Sequence, residues 1–258
     1  MKRPLMNGLI CIVSLFLFSE AGAGGPLSEK ERAWLEERGK LRIGAFNDYP
    51  PFGFVDQSGR PHGMSIDYWR LMSSKLDLAL EFRPALFSNQ LEGLKNGQYD
   101  SLAGIFPLSE RGRLFDFSRP YTTIRTNIYV KAKYSHLKDL KELKGLKVGA
   151  VEGDSGQVIA RRAGLEPLSF TTYLEAILSL ADKETDAIIM DELVVQYFVS
   201  KYNLGQKIRK IGRPVDEGQM TLPVKKGSSI LLGILNKGIN TISSEEWKRI
   251  EEEWLGRN

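Results

Sequence analysis

Leu41-Arg42-Ile43-Gly44-Ala45-Phe46 and, about 105 positions later, Leu146-Lys147-Val148-Gly149-Ala150-Val151 follow one pattern: apolar, basic, apolar, Gly, Ala, apolar. Duplication and coincidence both account for six residues this simple, and on either account a βα unit starts at each. Working outward, short apolar runs of strand length follow at Leu78 to Phe82, Ser101 to Ile105, Asn127 to Lys131, Pro167 to Thr171, Asp186 to Met190, Ile208 to Ile211 and Met220 to Val224. Between them lie helix-length stretches: Met64 to Leu76, a Ser-capped Ser88 to Lys95, Ser155 to Ala163, Tyr173 to Ala181, Leu193 to Tyr202, Ile230 to Ile242 and Glu245 to Leu255. This alternation predicts an α/β fold with largely parallel sheets. In front, Ser28 and Glu31 form a capping-box pattern, so a lead-in helix within 24–39 is expected to run to Arg38 and stop at Gly39. No Pro-rich or low-complexity linker divides the chain, so two lobes would be joined by strands crossing directly between them.

The 258 residues are 42% hydrophobic and 26% charged, an ordinary globular composition with room for a sizeable core. The 36 basic and 32 acidic residues leave a net charge of +4, too small and too spread out to support nucleic-acid binding. Lys133, Lys138, Lys141, Lys144 and Lys147 read as a solvated face and connector. One cysteine, Cys11, and two histidines, His62 and His136, are too few for a disulfide framework, a zinc cluster or a Cys/His nucleophile. At the N-terminus Lys2 and Arg3 precede the apolar stretch Leu9 to Phe18 and the small residues Ala21-Gly22-Ala23. This predicts a signal peptide over 1–23, cut after Ala23, which removes Cys11 and sends the chain to the periplasm. The apolar stretch is shorter than the ~20 residues that span a bilayer, so an uncleaved anchor is the weaker reading.

Four segments carry a resemblance. They are Tyr49-Pro50-Pro51-Phe52 with Gly63-Met64-Ser65-Ile66-Asp67; Ala103 to Arg111 leading into Asp116-Phe117-Ser118-Arg119-Pro120-Tyr121; Leu143 to Gly149 with Gly153-Asp154-Ser155; and Asp186 to Asp191. In this order and spacing the chain resembles the family 3 periplasmic solute-binding proteins, bilobed binders of polar amino acids and related small molecules. Leu27 to Leu35 and Ile242 to Leu255 further resemble a sensory branch whose binding domains are fused to histidine kinases or diguanylate cyclases. Neither enzyme domain follows here, so a free binding protein is expected. The resemblance implies a type II periplasmic-binding-protein fold. Lobe 1 would comprise 40–126 plus 220–258, lobe 2 would comprise 127–219, and the ligand would lie between them.

On that resemblance Arg111 aligns with the carboxylate-binding arginine, whose planar fork donates two parallel hydrogen bonds. From the residue alone, an ion pair with Glu110 or Asp116 on a short surface helix is the favoured reading, and the surrounding motif reverses that order. Ser155 precedes a helix, and its hydroxyl could bind the same carboxylate or simply cap that helix. Asp191 ends an apolar strand, where it would meet a ligand ammonium or cap Leu193 to Tyr202. Asp154 stands where the family often has Ser or Thr, and a carboxylate there would repel an anion unless turned away. Gly104 falls in the same lobe 1 segment as Phe106. Phe46 and Phe106 replace an acid and a hydroxyl residue, and with Tyr49 they make an apolar or cation-attracting wall. That wall shifts the expected ligand away from basic amino acids held through an acid and toward aliphatic, aromatic or unusual ones; core packing is the other reading of Phe46.

The expected function is capture of an amino acid or related small carboxylate by lobe closure, with delivery to an ABC-type permease. No catalytic residue, cofactor or metal is called for, and the architecture implies a monomer. A soluble sensor docking on a receptor kinase or cyclase is one alternative. A periplasmic enzyme resembling cyclohexadienyl dehydratase, with Glu110, Asp154 and Asp191 as acid–base groups, is another.

Overall fold

Capping opens the chain. The Ser28 hydroxyl accepts the Glu31 N–H, the Glu31 carboxylate accepts the Ser28 N–H, and helix α1 (Glu29–Arg38) runs until Gly39, at φ 68°, ends it. The computed structural model describes residues 27–256 apart from residue 183, so the expected signal peptide over 1–23 lies outside the described residues. Next come β1 (Leu41–Phe46), the short strands β2 (Asp48–Tyr49), β3 (Gly53–Val55) and β4 (Pro61–His62), α2 (Met64–Leu76), β5 (Leu80–Ala85), α3 (Phe87–Lys95), β6 (Ser101–Leu102) and β7 (Phe115–Phe117). The chain then crosses along β8 (Thr122–Lys131) to β9 (Val148–Val151), α4 (Ser155–Arg162), β10 (Leu168–Phe170), α5 (Tyr173–Ala181), β11 (Ala187–Asp191) and α6 (Glu192–Lys201). It returns along β12 (Ile208–Met220) to β13 (Pro223–Lys225), α7 (Ser229–Thr241) and α8 (Ser244–Leu255).

Two five-stranded sheets result, ordered β5-β1-β6-β13-β7 and β10-β9-β11-β8-β12. In the first, β1 lies between β5 and β6, parallel to both; in the second, β9 lies likewise between β10 and β11. The two echoed sequences therefore occupy the same place in two α/β lobes. The other half of each sheet is antiparallel, through β13 in the first and β8 with β12 in the second. β8 and β12 pair from Thr122↔Met220 to Lys131↔Ile208 with an irregularity between Ile211 and Asp216. They are the two strands that join the lobes, one leaving the first lobe and one returning to it, so they run antiparallel.

The first lobe is held by β1, α2 and α7, where Leu41, Ile43, Ile66, Trp69, Met72, Leu231, Ile234 and Leu235 are fully or almost fully buried. On β8 the alternate residues Ile128 and Val130 meet Ala187 and Ile189 of β11, Val148 of β9 and Ala160 of α4, which makes a separate core on one face of the second sheet. Each buried Val, Leu, Ile or Met among them contributes about 1.5–3 kcal/mol. The terminal helices pack on the first lobe: Glu31 of α1 pairs with Lys237 of α7, and Trp254 of α8 donates its indole N–H to Asp67 of α2 at 2.8 Å. The small antiparallel sheet β2-β3-β4 grows from the Pro50–Pro51 turn, whose peptide bond is cis, and is absent from the strand pattern read in the sequence. α3 begins at Phe87 with Leu86 at its cap position and no side-chain cap, one residue ahead of the Ser88 start expected. Among the described residues no helix is long and apolar enough to cross a membrane.

Candidate functional site

β1, β2, β6 and the turn that follows it deliver side chains from the first lobe to the cleft; the loop before α4, the start of α5 and the end of β11 deliver them from the second. Apart from β2, which belongs to the small antiparallel sheet, those points are strand ends and helix N-termini, where backbone geometry leaves side chains and N–H groups free to face a ligand. Between the lobes lies a small cavity of about 10 Å³, lined by Phe46, Tyr49, Phe87, Gly104, Ile105, Phe106, Arg111, Asp154, Tyr173, Asp191 and Met220. Seven of the eight residues singled out in the sequence are on this wall. The eighth, Ser155, is fully buried as the first residue of α4 but outside the lining, and its hydroxyl lies 3.4 Å from the Asp154 carboxylate.

Arg111 opens a short 3-10 turn and is only 7% exposed. Its Nη1 donates to the Phe106 carbonyl at 2.8 Å, and its Nη2 reaches across to the Gly153 carbonyl at 2.8 Å, tying one lobe to the other. The guanidinium lies 5.3 Å from the centre of the Phe87 ring, a cation–π contact of about 0.5–2 kcal/mol. Neither sequence alternative for Arg111 holds. Glu110 is paired with Arg162 of the second lobe at 2.7 Å, and Asp116 with Lys226 at 2.6 Å.

Asp191 is 1% exposed. It sits at the cap position of α6 yet caps nothing; instead it accepts from Tyr49 Oη and from Thr126 Oγ1, each at 2.5 Å. Burial first, and the neighbouring Asp154 charge second, push its carboxyl up to about 7. Asp154 is 7% exposed, and burial likewise raises its pKa, opposed mainly by the charge of Arg111 and also by hydrogen bonds from Ser155 and the Tyr173 hydroxyl. Although it precedes α4, its side chain does not cap that helix. Both phenols titrate well above their usual value, because burial and the adjacent carboxylates disfavour the phenolate, so each stays a donor. Asp48 of the first lobe accepts the Tyr173 N–H of the second at 2.8 Å. The lobes therefore touch directly at several points around the cavity.

The aromatic wall is continuous: Phe46 packs on Tyr49 at 4.7 Å and stacks with Phe87 at 6.1 Å, and Tyr49 packs on Tyr173 at 4.7 Å. Phe46 thus serves both the core and the cavity. The sequence reading missed Phe87, Ile105, Tyr173 and Met220. Two of these carried a signal. Tyr173 opens a helix behind the capping box Thr172–Glu175, and Phe87 opens the helix after β5, so both are strand-to-helix junctions of the kind that face a cleft.

The family described as bacterial extracellular solute-binding proteins, family 3, matches residues 41–257. The chain belongs to this family. It is 23% identical to the L-cystine-binding protein TcyA of Bacillus subtilis, over 100% of this chain and 99% of that protein. An ancestral arginine-binding protein bound to glutamine is 31% identical, with a TM-score of 0.76 over 85% of this chain and 99% of that one. A histidine kinase sensor domain similar to periplasmic binding proteins is 25% identical, with a TM-score of 0.79 over 84% of this chain and 96% of that one. The named relatives are binding proteins and sensor domains, and the bilobed fold is common to the family.

Proposed function

We propose that this family 3 protein captures a small amino-acid-like solute in the periplasm by closing its two lobes and presents the closed form to an ABC-type permease, without catalysing a reaction. The observation that carries this reading is a pair of opposite charges from different lobes, Arg111 and Asp191, buried on the wall of one cavity. A ligand carboxylate would take the N–H groups of Arg111 not spent on Phe106 and Gly153, and a ligand ammonium would take the open side of Asp191. The rings of Phe46, Tyr49, Phe87 and Phe106 would enclose the apolar part. The likeness to a cystine-binding protein and to an arginine-binding protein bound to glutamine supports an amino-acid ligand.

A sensing role is the second reading. It is favoured by the bonds the lobes make directly with each other and by the likeness to a kinase sensor domain. Acid–base catalysis is disfavoured by Glu110, which is held outside the cavity lining by Arg162. The test is a thermal-shift screen of amino acids and small carboxylates on residues 24–258. A cognate ligand at 100 times its Kd stabilises the fold by about 2.7 kcal/mol. If nothing in the panel raises the melting temperature, the binding role is refuted. Turnover of a hydroxy-acid substrate would replace it with the enzyme reading.

A further inference from the structure

Thr126 is the last residue of β8 that β11 holds. From Ala187 to Asp191, β11 pairs with β8 from Val130 to Thr126, and beyond Thr126 toward the first lobe β8 pairs with β12 alone. On its other side Thr126 faces Asp216, the first β12 residue back in register after the irregularity that follows Ile211. The two-stranded ribbon that joins the lobes therefore starts at Thr126. This side chain is fully buried, and its hydroxyl donates to one Asp191 oxygen, Oδ1, at 2.5 Å, while Tyr49 takes the other, Oδ2. The two donors differ in origin. Thr126 and Asp191 are neighbours in one sheet, so their bond does not depend on the first lobe; Tyr49 belongs to β2 of the first lobe and reaches Asp191 only while the lobes touch. Asp191 also has a competing site. Its backbone, at φ −71° and ψ 138°, already has the extended conformation of a helix cap, and a turn of the side chain would let it accept the Leu193 or Val194 N–H at the start of α6, yet it makes no such bond.

We propose that Thr126 is a positioning residue for ligand binding: its hydroxyl keeps the Asp191 carboxyl group turned to the cleft and away from the α6 cap before the lobes close, and Tyr49 adds the second donor on closure. The inference rests on the amino-acid-like reading above and deepens it, since Asp191 is the group offered there to a ligand ammonium. Left to choose, the side chain would take the cap, because Asp is among the preferred N-cap residues and a helix N-terminus attracts negative charge. A threonine directly across the strand pair counters that pull, since its β-branched side chain is stiff at χ1 and its hydroxyl is already aimed. Setting the carboxyl group in advance spares the ligand the cost of drawing it back from the helix. Thr126 stays in the second sheet while the ribbon bends beyond it, so the hydroxyl and Asp191 travel as one unit.

Carboxyl-carbon NMR titration of residues 24–258 without ligand, with the Asp191 signal assigned by its loss in Asp191→Asn, reads where this side chain lies. The titratable and charged groups facing Asp191 are Asp154, Asp216, Arg111, Tyr49, Tyr173 and Tyr129, and substitutions at Thr126 leave all of them in place. In Thr126→Val, Asp191 is expected to turn to the cap, so its titration falls from about 7 toward the ordinary carboxylate range, while melting stays within about 3 °C of wild type because the new cap offsets the lost bond. Thr126→Ser, which keeps a hydroxyl, is expected to restore the wild-type titration. With L-glutamine and L-cystine as calorimetric probes, Thr126→Val is expected to bind about tenfold or more weaker than wild type, and Thr126→Ser about as tightly as wild type. Thr126→Ala removes the hydroxyl without adding bulk and gives the same reading if Thr126→Val does not fold. An Asp191 titration that stays or rises in the variants without the hydroxyl, or an unchanged affinity for a probe that the wild type binds, would overturn the positioning role and leave amino-acid capture standing. The titration needs no ligand and decides the role even if neither probe binds, whereas a thermal-shift screen without hits removes the amino-acid reading alone.

Discussion

Replacing Tyr49 with phenylalanine deletes one oxygen and isolates the contact that best connects the two lobes. Tyr49 belongs to β2 in the first lobe, and its hydroxyl donates to Asp191 at the end of β11 in the second, at 2.5 Å. Its ring keeps Phe46, Phe52 and Tyr173 at 4.7, 5.1 and 4.7 Å, so packing should survive the substitution. Asp191 would be left with Thr126 as its side-chain donor. A hydrogen bond to a charged acceptor contributes about 1.5–3 kcal/mol, which at 1.4 kcal/mol per factor of ten is about a 10- to 150-fold loss in the closed-to-open ratio. Ligand that binds the closed form should weaken by the same factor. The assay is paired: energy transfer between fluorophores on exposed positions of each lobe reports closure, and titration calorimetry reports Kd. Closure and affinity both within twofold of wild type would refute the claim that this bond holds the lobes together.

Two further outcomes follow from the geometry. Asp191 is pushed up to about 7 and Asp48 to about 6, chiefly by burial, so between about pH 4 and 7 the folded chain holds protons that the unfolded chain has released. Stability of the ligand-free protein should therefore fall as pH rises through that window and level off above it, whereas Asp100, Asp116 and Asp186, held below the usual range, lose their contribution only at more acid pH. Melting curves from pH 4.5 to 8 check this, and an Asp191→Asn variant with an undiminished slope would contradict the assignment. Gly156→Ala would place a methyl 2.2 Å from the Ile189 carbonyl oxygen, where α4 lies against β11. Overpacking of this kind costs about 1–3 kcal/mol, so a chain this size should melt roughly 2–12 °C lower. Unchanged melting would show that α4 can retreat from the sheet.

Local chemistry made much of this protein legible in one dimension. The capping box at Ser28–Glu31 depends on residues three apart, the runs Leu41 to Phe46 and Ala187 to Met190 carry their own hydrophobic signal, and Arg111 and Asp191 stood at the ends of recognisable segments. Pairing across distance was not legible. The small sheet around the Pro50–Pro51 turn consists of strands of two or three residues, too short to show a period, and β8 and β12 extend well beyond their apolar runs because each is the other's hydrogen-bond partner. Asp191 occupies a cap position, yet a tyrosine 142 residues away takes its side chain instead. Asp154 and Tyr173 became neighbours of Arg111 only when the lobes met, and Phe87 only when the first lobe folded. A sequence records which side chains favour a helix start or a strand. Which carboxylate lies beside which guanidinium, and therefore the charge of the cavity, is set by contacts between residues far apart in the chain, and only the folded arrangement brings them together.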